Sequence, residues 1–123
     1  MSKILVLDDD PQILKMVSLI LKKRGHHILT AENGCHALQT IESQQIEVLL
    51  TDILMPDVDG IEVINTCRKK ALPVKIIAMS GGRRKISAEF NLQSAAMLGA
   101  SEILPKPFTQ EQLVEKIERV TSC

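Results

Sequence analysis

Three successive aspartates, Asp8, Asp9 and Asp10, follow an apolar run in VLDDDP, and Asp52 follows another in the segment that continues TDILMPDVDG. Ser80 closes the run IIAMS, and Lys106 stands between two prolines in LPKPF. If these residues meet, the chemistry open to them is narrow. Crowded carboxylates repel, so unless a cation sits among them at least one titrates high or the site is strained. All-oxygen ligands with room left for water and a substrate phosphate suit Mg2+, with Mn2+ able to substitute, better than zinc or copper. An ammonium and a hydroxyl opposite the metal suit a phosphoryl group, whose peripheral oxygens need positive charge and hydrogen-bond donors. A carboxylate not fully committed to the metal is then a nucleophile that forms an aspartyl phosphate.

Whether these residues meet depends on the elements that carry them. Short apolar runs bounded by turn residues alternate with longer stretches of helical spacing five times over, a (βα)5 pattern. Strands are expected at Ile4–Leu7, His27–Ala31, Val48–Thr51, Val74–Met79 and Glu102–Leu104. The third and fourth are nearly all apolar and read as the central strands of a parallel sheet covered on both faces. The first helix takes Asp10 as its cap and Pro11 at its first position, lines up Ile13, Leu14, Val17, Ile20 and Leu21, and stops at Gly25. Asp10 is therefore structural, which leaves Asp8 and Asp9 for the chemistry. The last helix opens with a Thr109/Gln112 capping box and a Phe108/Leu113 staple, and buries Val114, Ile117 and Val120. In MPDVDG, Met55-Pro56 turns the chain and Asp59-Gly60 starts a helix, so Asp57 and Asp59 read as turn and cap residues.

Right-handed crossovers fold such a chain into an α/β doubly wound, flavodoxin-like (βα)5 sandwich with strand order 2-1-3-4-5 and helices on both faces. Ligands in such sheets sit beyond the carboxyl ends of the strands, where the strand order reverses. That is where Asp8, Asp9, Asp52, Ser80 and Lys106 would converge.

Composition excludes several classes. A chain of 123 residues is one domain, expected here over 1–123 with no output domain. Fifteen basic residues balance fifteen acidic ones, so no overall field holds a nucleic acid or an anionic membrane, and two phenylalanines make no stacking platform for single strands. MSKILVLDDD reaches charge after four apolar residues, too few for a signal peptide or membrane span, and a cytoplasmic location is expected. Cys35, Cys67 and Cys123 are odd in number and widely spaced, and read as reduced thiols. His26, His27 and His36 have no metal-ligand spacing and read as surface residues of the second βα unit. Neither G-x-G-x-x-G nor G-x-x-x-x-G-K-[ST] occurs, which disfavours a nucleotide site.

In order and at about the expected spacings, ILVLDDDP, TDILMPDVDG, IIAMSGG and LPKPF resemble the receiver domain of bacterial two-component response regulators, across essentially the whole chain. The resemblance implies Asp52 as phosphoacceptor, and Asp8 and Asp9 as the acidic pair holding Mg2+, with Asp9, Asp52 and the main-chain oxygen of Leu54 as ligands. It implies Ser80 and Lys106 as binders of the phosphoryl oxygens, and a cis Lys106-Pro107 peptide that aims the ammonium into the site. The implied partners are a sensor histidine kinase or histidine phosphotransfer protein and a downstream protein target, without direct nucleic-acid or membrane contact. Such a domain is not an enzyme in the ordinary sense, since it catalyses only its own phosphorylation and dephosphorylation. Its output is an altered face made by the fourth helix, fifth strand and fifth helix of the pattern.

Two departures stand out. Ile103 occupies the position where the family usually carries a switch aromatic, so signalling relies on loop movement and helix repacking, or the domain responds weakly. The stretch Gly81–Leu92 is longer than usual and carries Arg83, Arg84 and Lys85, either a docking loop or a solvated one. Leu54 and Gly82 offer no polar side chain to steer an attacking water, so phosphoryl lifetime is not legible. Two other classes stay open: a receiver-like interaction module that works without phosphorylation, and a small phosphohydrolase with an aspartyl-phosphate intermediate. Against the second, LDDDP lacks the D-x-D-x-T spacing and no cap domain is evident.

Overall fold

The computed structural model describes residues 2–53, 60–80 and 99–121. In chain order the elements are β1 (Lys3–Leu7), α1 (Pro11–Lys23), β2 (His27–Ala31), α2 (Gly34–Ser43), β3 (Val48–Asp52), α3 (Gly60–Lys69), β4 (Lys75–Ser80), β5 (Glu102–Pro105) and α4 (Gln110–Thr121). The last of these is the fifth helix of the repeating pattern. The pattern's fourth helix falls outside the described residues, as do Leu54, the Met55–Asp59 turn, the Gly81–Leu92 stretch and Cys123.

The five strands form one parallel sheet in the order β2-β1-β3-β4-β5, the doubly wound order expected of a flavodoxin-like chain. Observed strand ends differ from the expected ones by one residue at most. β3 is the middle strand and is buried throughout. β1 is as interior as β4, because it lies between β2 and β3, and Ile4 to Leu7 have no exposed surface. The third and fourth strands are interior as expected, and the first is interior too, as the expected strand order requires.

Strand alternation sends neighbouring side chains to opposite faces. Leu5, Leu7, Leu49 and Ile76 meet Ala37 and Ile41 of α2 and Val63, Ile64 and Cys67 of α3 in one core. Ile4, Val6, Leu50, Ile77 and Met79 meet Leu14, Val17 and Leu21 of α1 and Leu113, Ile117 and Val120 of α4 in the other. A one-residue slip would exchange these faces, so two filled cores pin the register that aligns the strand ends.

The helix starts are set locally. Asp10 caps α1, its carboxylate accepting from the Gln12 N–H at 2.9 Å, with Pro11 next, and Gly25 (φ +90°) turns the chain after the helix. At α4 the Thr109 N–H donates to Gln112 Oε1 at 2.9 Å while the Gln112 N–H donates to Thr109 Oγ1 at 3.1 Å, a reciprocal capping box, with Phe108 packed on the second core.

Candidate functional site

Strand register brings the site together. Leu7 lies opposite Thr51 and Asp52 opposite Met79, while Ser80 lies opposite Pro105, so Asp8, Asp52, Ser80 and Lys106 line one edge of the sheet. The Asp8 N–H donates to Ala31 O at 3.2 Å and the Lys106 N–H to Ser80 O at 2.6 Å, continuing the strand pairing into the residues that carry the charges. The Lys106-Pro107 peptide is cis.

Asp8 has no exposed surface, and both its carboxylate oxygens are engaged. Oδ1 accepts the Asp10 N–H at 2.9 Å, an Asx-type turn, and Oδ2 accepts the Lys106 ammonium at 2.7 Å. The same ammonium lies 3.6 Å from Asp52 Oδ2, while Asp52 Oδ1 accepts the Ile53 N–H at 2.9 Å. Asp9, half-buried, completes a trio in which Asp8, Asp9 and Asp52 each bring one carboxylate oxygen within 4.8 Å of the others. Roughly 4 Å separates opposite ligands around a hexacoordinate Mg2+, so three hard oxygen donors at this spacing fit that ion. Nitrogen and sulfur donors are absent from the cluster.

Among the described residues, three acids against one ammonium leave the pocket short of positive charge. The Asp52 pKa rises from 3.8 to about 6, chiefly because burial disfavours its charge, with Asp8 and Asp9 adding to the rise and Lys106 and the Ile53 N–H opposing it. A metal or an electrophile would relieve that cost at Asp52.

Ser80 ends β4 half-buried at the same edge. Ile103 pairs with Ala78 in the sheet and packs, partly buried, against the core that holds Ile53 and Ile64. Cys35 and Cys67 are free, the first exposed and the second buried, where burial pushes its thiol pKa up. His27 and His36 are exposed, whereas His26 is half-buried with Nδ1 accepting the Ser2 N–H at 3.3 Å, which corrects its reading as a simple surface residue. Burial lowers the His26 pKa.

Gly60 is the residue whose importance composition and spacing did not disclose beyond a helix start. A Cβ there would collide with the main-chain oxygen of Asp52 and lie 2.9 Å from Thr51 Oγ1. The Gly60 N–H donates to Ile53 O at 3.0 Å, and buried Thr51 donates its hydroxyl to Asp52 O at 2.8 Å. The first turn of α3 is therefore seated directly against the main chain of Asp52, and only a glycine permits that approach. The D-G pair eight residues after Asp52 was the available signal.

A family model described as the response regulator receiver domain matches residues 4–118. The chain is 34% identical over 121 residues to the Haemophilus influenzae CpxR homolog, a transcriptional regulatory protein, covering 98% of this chain and 50% of that one. It is 32% identical over 120 residues to the response regulator receiver protein CpdR of Brucella abortus, covering 98% of this chain and 97% of that one. The chain thus spans about half or less of the length of most of the curated relatives compared, CpdR excepted. Among solved structures, the chemotaxis response regulator CheY4 of Vibrio cholerae superposes with a TM-score of 0.86 at 30% identity, covering 98% of each chain.

Proposed function

Since the chain belongs to the family of response regulator receiver domains, we propose that it is the phosphoacceptor switch of a two-component or phosphorelay system, charged at Asp52 by a sensor histidine kinase or a histidine phosphotransfer protein. The observation that carries this reading is the buried Asp52 carboxylate, set beside the Lys106 ammonium at 3.6 Å and within 4.8 Å of oxygens of Asp8 and Asp9.

Bound Mg2+, held by Asp9, Asp52 and the main-chain oxygen of Leu54 with Asp8 beside it, would neutralise the carboxylates and draw on the phosphoryl oxygens. Asp52 attacks phosphorus with one carboxylate oxygen while the donor's imidazole nitrogen leaves with the electrons of the P–N bond, giving an aspartyl phosphate. Lys106 pairs with a peripheral oxygen by a short movement away from Asp8, and the Ser80 hydroxyl donates to another. The Asp10 N–H keeps Asp8 in place as the ammonium leaves it. The pocket serves one self-directed transfer and the later attack of water on phosphorus, which returns the Asp52 carboxylate and releases inorganic phosphate, so the domain regulates rather than turns over substrates. The output face lies on β5 and α4 together with the pattern's fourth helix, and meets a protein partner, with nucleic acid and membrane uninvolved. No helix among the described residues is long and apolar enough to cross a membrane.

Intact mass after incubation with acetyl phosphate and Mg2+ tests this. Wild type is expected to gain one phosphoryl group, and Asp52→Asn, or wild type without metal, none. Stoichiometric labelling of folded Asp52→Asn would overturn the assignment. Ile103, with no ring to swing, favours a second reading as a phosphorylation-independent module. Wild type that stays unmodified with both acetyl phosphate and a phosphorylated kinase would select it, whereas repeated turnover of a small phosphoester would indicate a phosphohydrolase.

A further inference from the structure

Thr51 brings a hydroxyl into an aliphatic core. Among the described residues the buried polar side chains are Ser2, Asp8, Thr51 and Asp52, and Thr51 has no exposed surface. Strand alternation turns it to the face of Leu49, whose core also holds Val63 and Ile64 of α3, and turns Asp52 to the other face. Valine has nearly the same shape, suits a strand as well and avoids burying a hydroxyl. A residue that only filled this space would therefore be better as valine. The hydroxyl donates to the main-chain oxygen of Asp52 at 2.8 Å, beneath the first turn of α3, where a Cβ on Gly60 would lie 2.9 Å from Thr51 Oγ1 and collide with that same oxygen. The peptide whose oxygen Thr51 holds has its nitrogen on the acceptor side chain, because the Ile53 N–H donates to Asp52 Oδ1 at 2.9 Å. One planar peptide unit is thus held at both ends, by Thr51 at its oxygen and by the Asp52 carboxylate at its nitrogen.

We infer that Thr51 is a positioning residue for phosphoryl transfer to Asp52: its hydroxyl fixes the Asp52-Ile53 peptide, and that peptide fixes the rotation of the carboxylate. Oδ1 stays on the Ile53 N–H, which leaves Oδ2 toward the Lys106 ammonium at 3.6 Å. Without the hydroxyl the peptide is free to turn about the bonds that flank it, and the carboxylate loses the N–H that sets its aim. Attack on phosphorus needs the oxygen in line with the leaving group, and a small displacement of a reacting atom costs rate steeply. Thr51 lies on the face of β3 opposite the carboxylate, so it acts through the peptide. This role rests on the phosphoacceptor reading of Asp52 and extends it to the residue behind the acceptor.

The test compares wild type, Thr51→Val and Thr51→Ser for their rates of labelling by acetyl phosphate with Mg2+, in which an Asp52 oxygen bonds to phosphorus and acetate leaves with the electrons of the P–O bond. Thr51→Val keeps the shape and loses the donor, whereas Thr51→Ser keeps the donor and loses a buried methyl group. Thr51→Val is expected to label about three- to tenfold more slowly, the factor that one net hydrogen bond is worth, and Thr51→Ser at the wild-type rate although it unfolds at lower urea. In 15N-correlated spectra the Ile53 amide proton, shifted downfield by its carboxylate partner, is expected to move upfield in Thr51→Val and to hold its place in Thr51→Ser. Labelling of Thr51→Val at the wild-type rate, slow labelling of Thr51→Ser, or an unmoved Ile53 amide in a slow Thr51→Val would each overturn the role. Thr51→Ala, which also lacks the donor, replaces Thr51→Val if that variant does not fold, and failure of both to fold while Thr51→Ser folds would make the hydroxyl a folding element instead. A wild type that takes no label would fell the phosphoacceptor reading itself, and this role with it.

Discussion

Asp52 is asked to be buried and to be ionised, and the two demands conflict. Its pKa near 6 in the fold, against 3.8 as the ordinary value, means that the native state holds its proton more tightly than the unfolded chain. Stability from this group is therefore full below pH ~4 and lost as pH rises through ~6, by roughly 3 kcal/mol at most for a shift of this size. In EDTA, Asp52→Asn should unfold at higher urea than wild type at pH 8, and the difference should close by pH 4. Equal midpoints at pH 8 would show that Asp52 carries no such burden. For the same reason Mg2+ affinity, measured by calorimetry, should fall as pH drops through 6, because the proton and the metal compete for one carboxylate.

The elements hold that carboxylate where it is, and two of their junctions can be tested separately. Gly60→Ala places a methyl group against the main chain of Asp52, so either the α3 start or Asp52 must move. We expect about 1–3 kcal/mol of destabilisation in urea, as for overpacking in a tight contact, together with slower labelling by acetyl phosphate. Thr109→Ala removes one arm of the capping box at α4 and should cost about 1 kcal/mol in urea while labelling survives, because α4 braces the sheet without touching the carboxylates. If both variants slowed labelling equally, the effect would be loss of stability and not of acceptor geometry. These junctions also mark how far the sequence could be read. Periodicity placed every strand, and cap residues placed α1 and α4, since those signals are local, while the Asn33 cap of α2 went unread. The interior position of β1 does not follow from its own pattern but from the strand order, which was expected correctly. Gly60 was underrated because its neighbour is a carbonyl brought close only by the crossover from β3 to α3. The trio Asp8, Asp9 and Asp52 was legible as strand-end residues, but the engagement of both Asp8 oxygens was not, because one partner lies 98 residues away.

That distant partner makes the site a fastener of the whole molecule. Lys106 follows β5, Asp8 follows β1, and two strands lie between them, so their 2.7 Å pair ties the two ends of the described chain across the sheet. Both side chains are nearly buried, at 9 and 1% exposure, and a buried pair that loses one partner leaves an uncompensated charge. Lys106→Met should thus lower the unfolding free energy by about 3 kcal/mol in EDTA at pH 8, three acids then facing one another without an ammonium. Mg2+ should recover more stability in this variant than in wild type, since it supplies the missing charge and binds the folded state alone, adding roughly 1.4 kcal/mol per decade of concentration above its dissociation constant. Urea unfolding across a Mg2+ series checks both parts. A variant as stable as wild type in EDTA would mean that Lys106 waits for the phosphoryl group without bracing the fold. A large loss repaired by the metal would mean that the ammonium braces the resting molecule through Asp8 and that a cation can take over that duty.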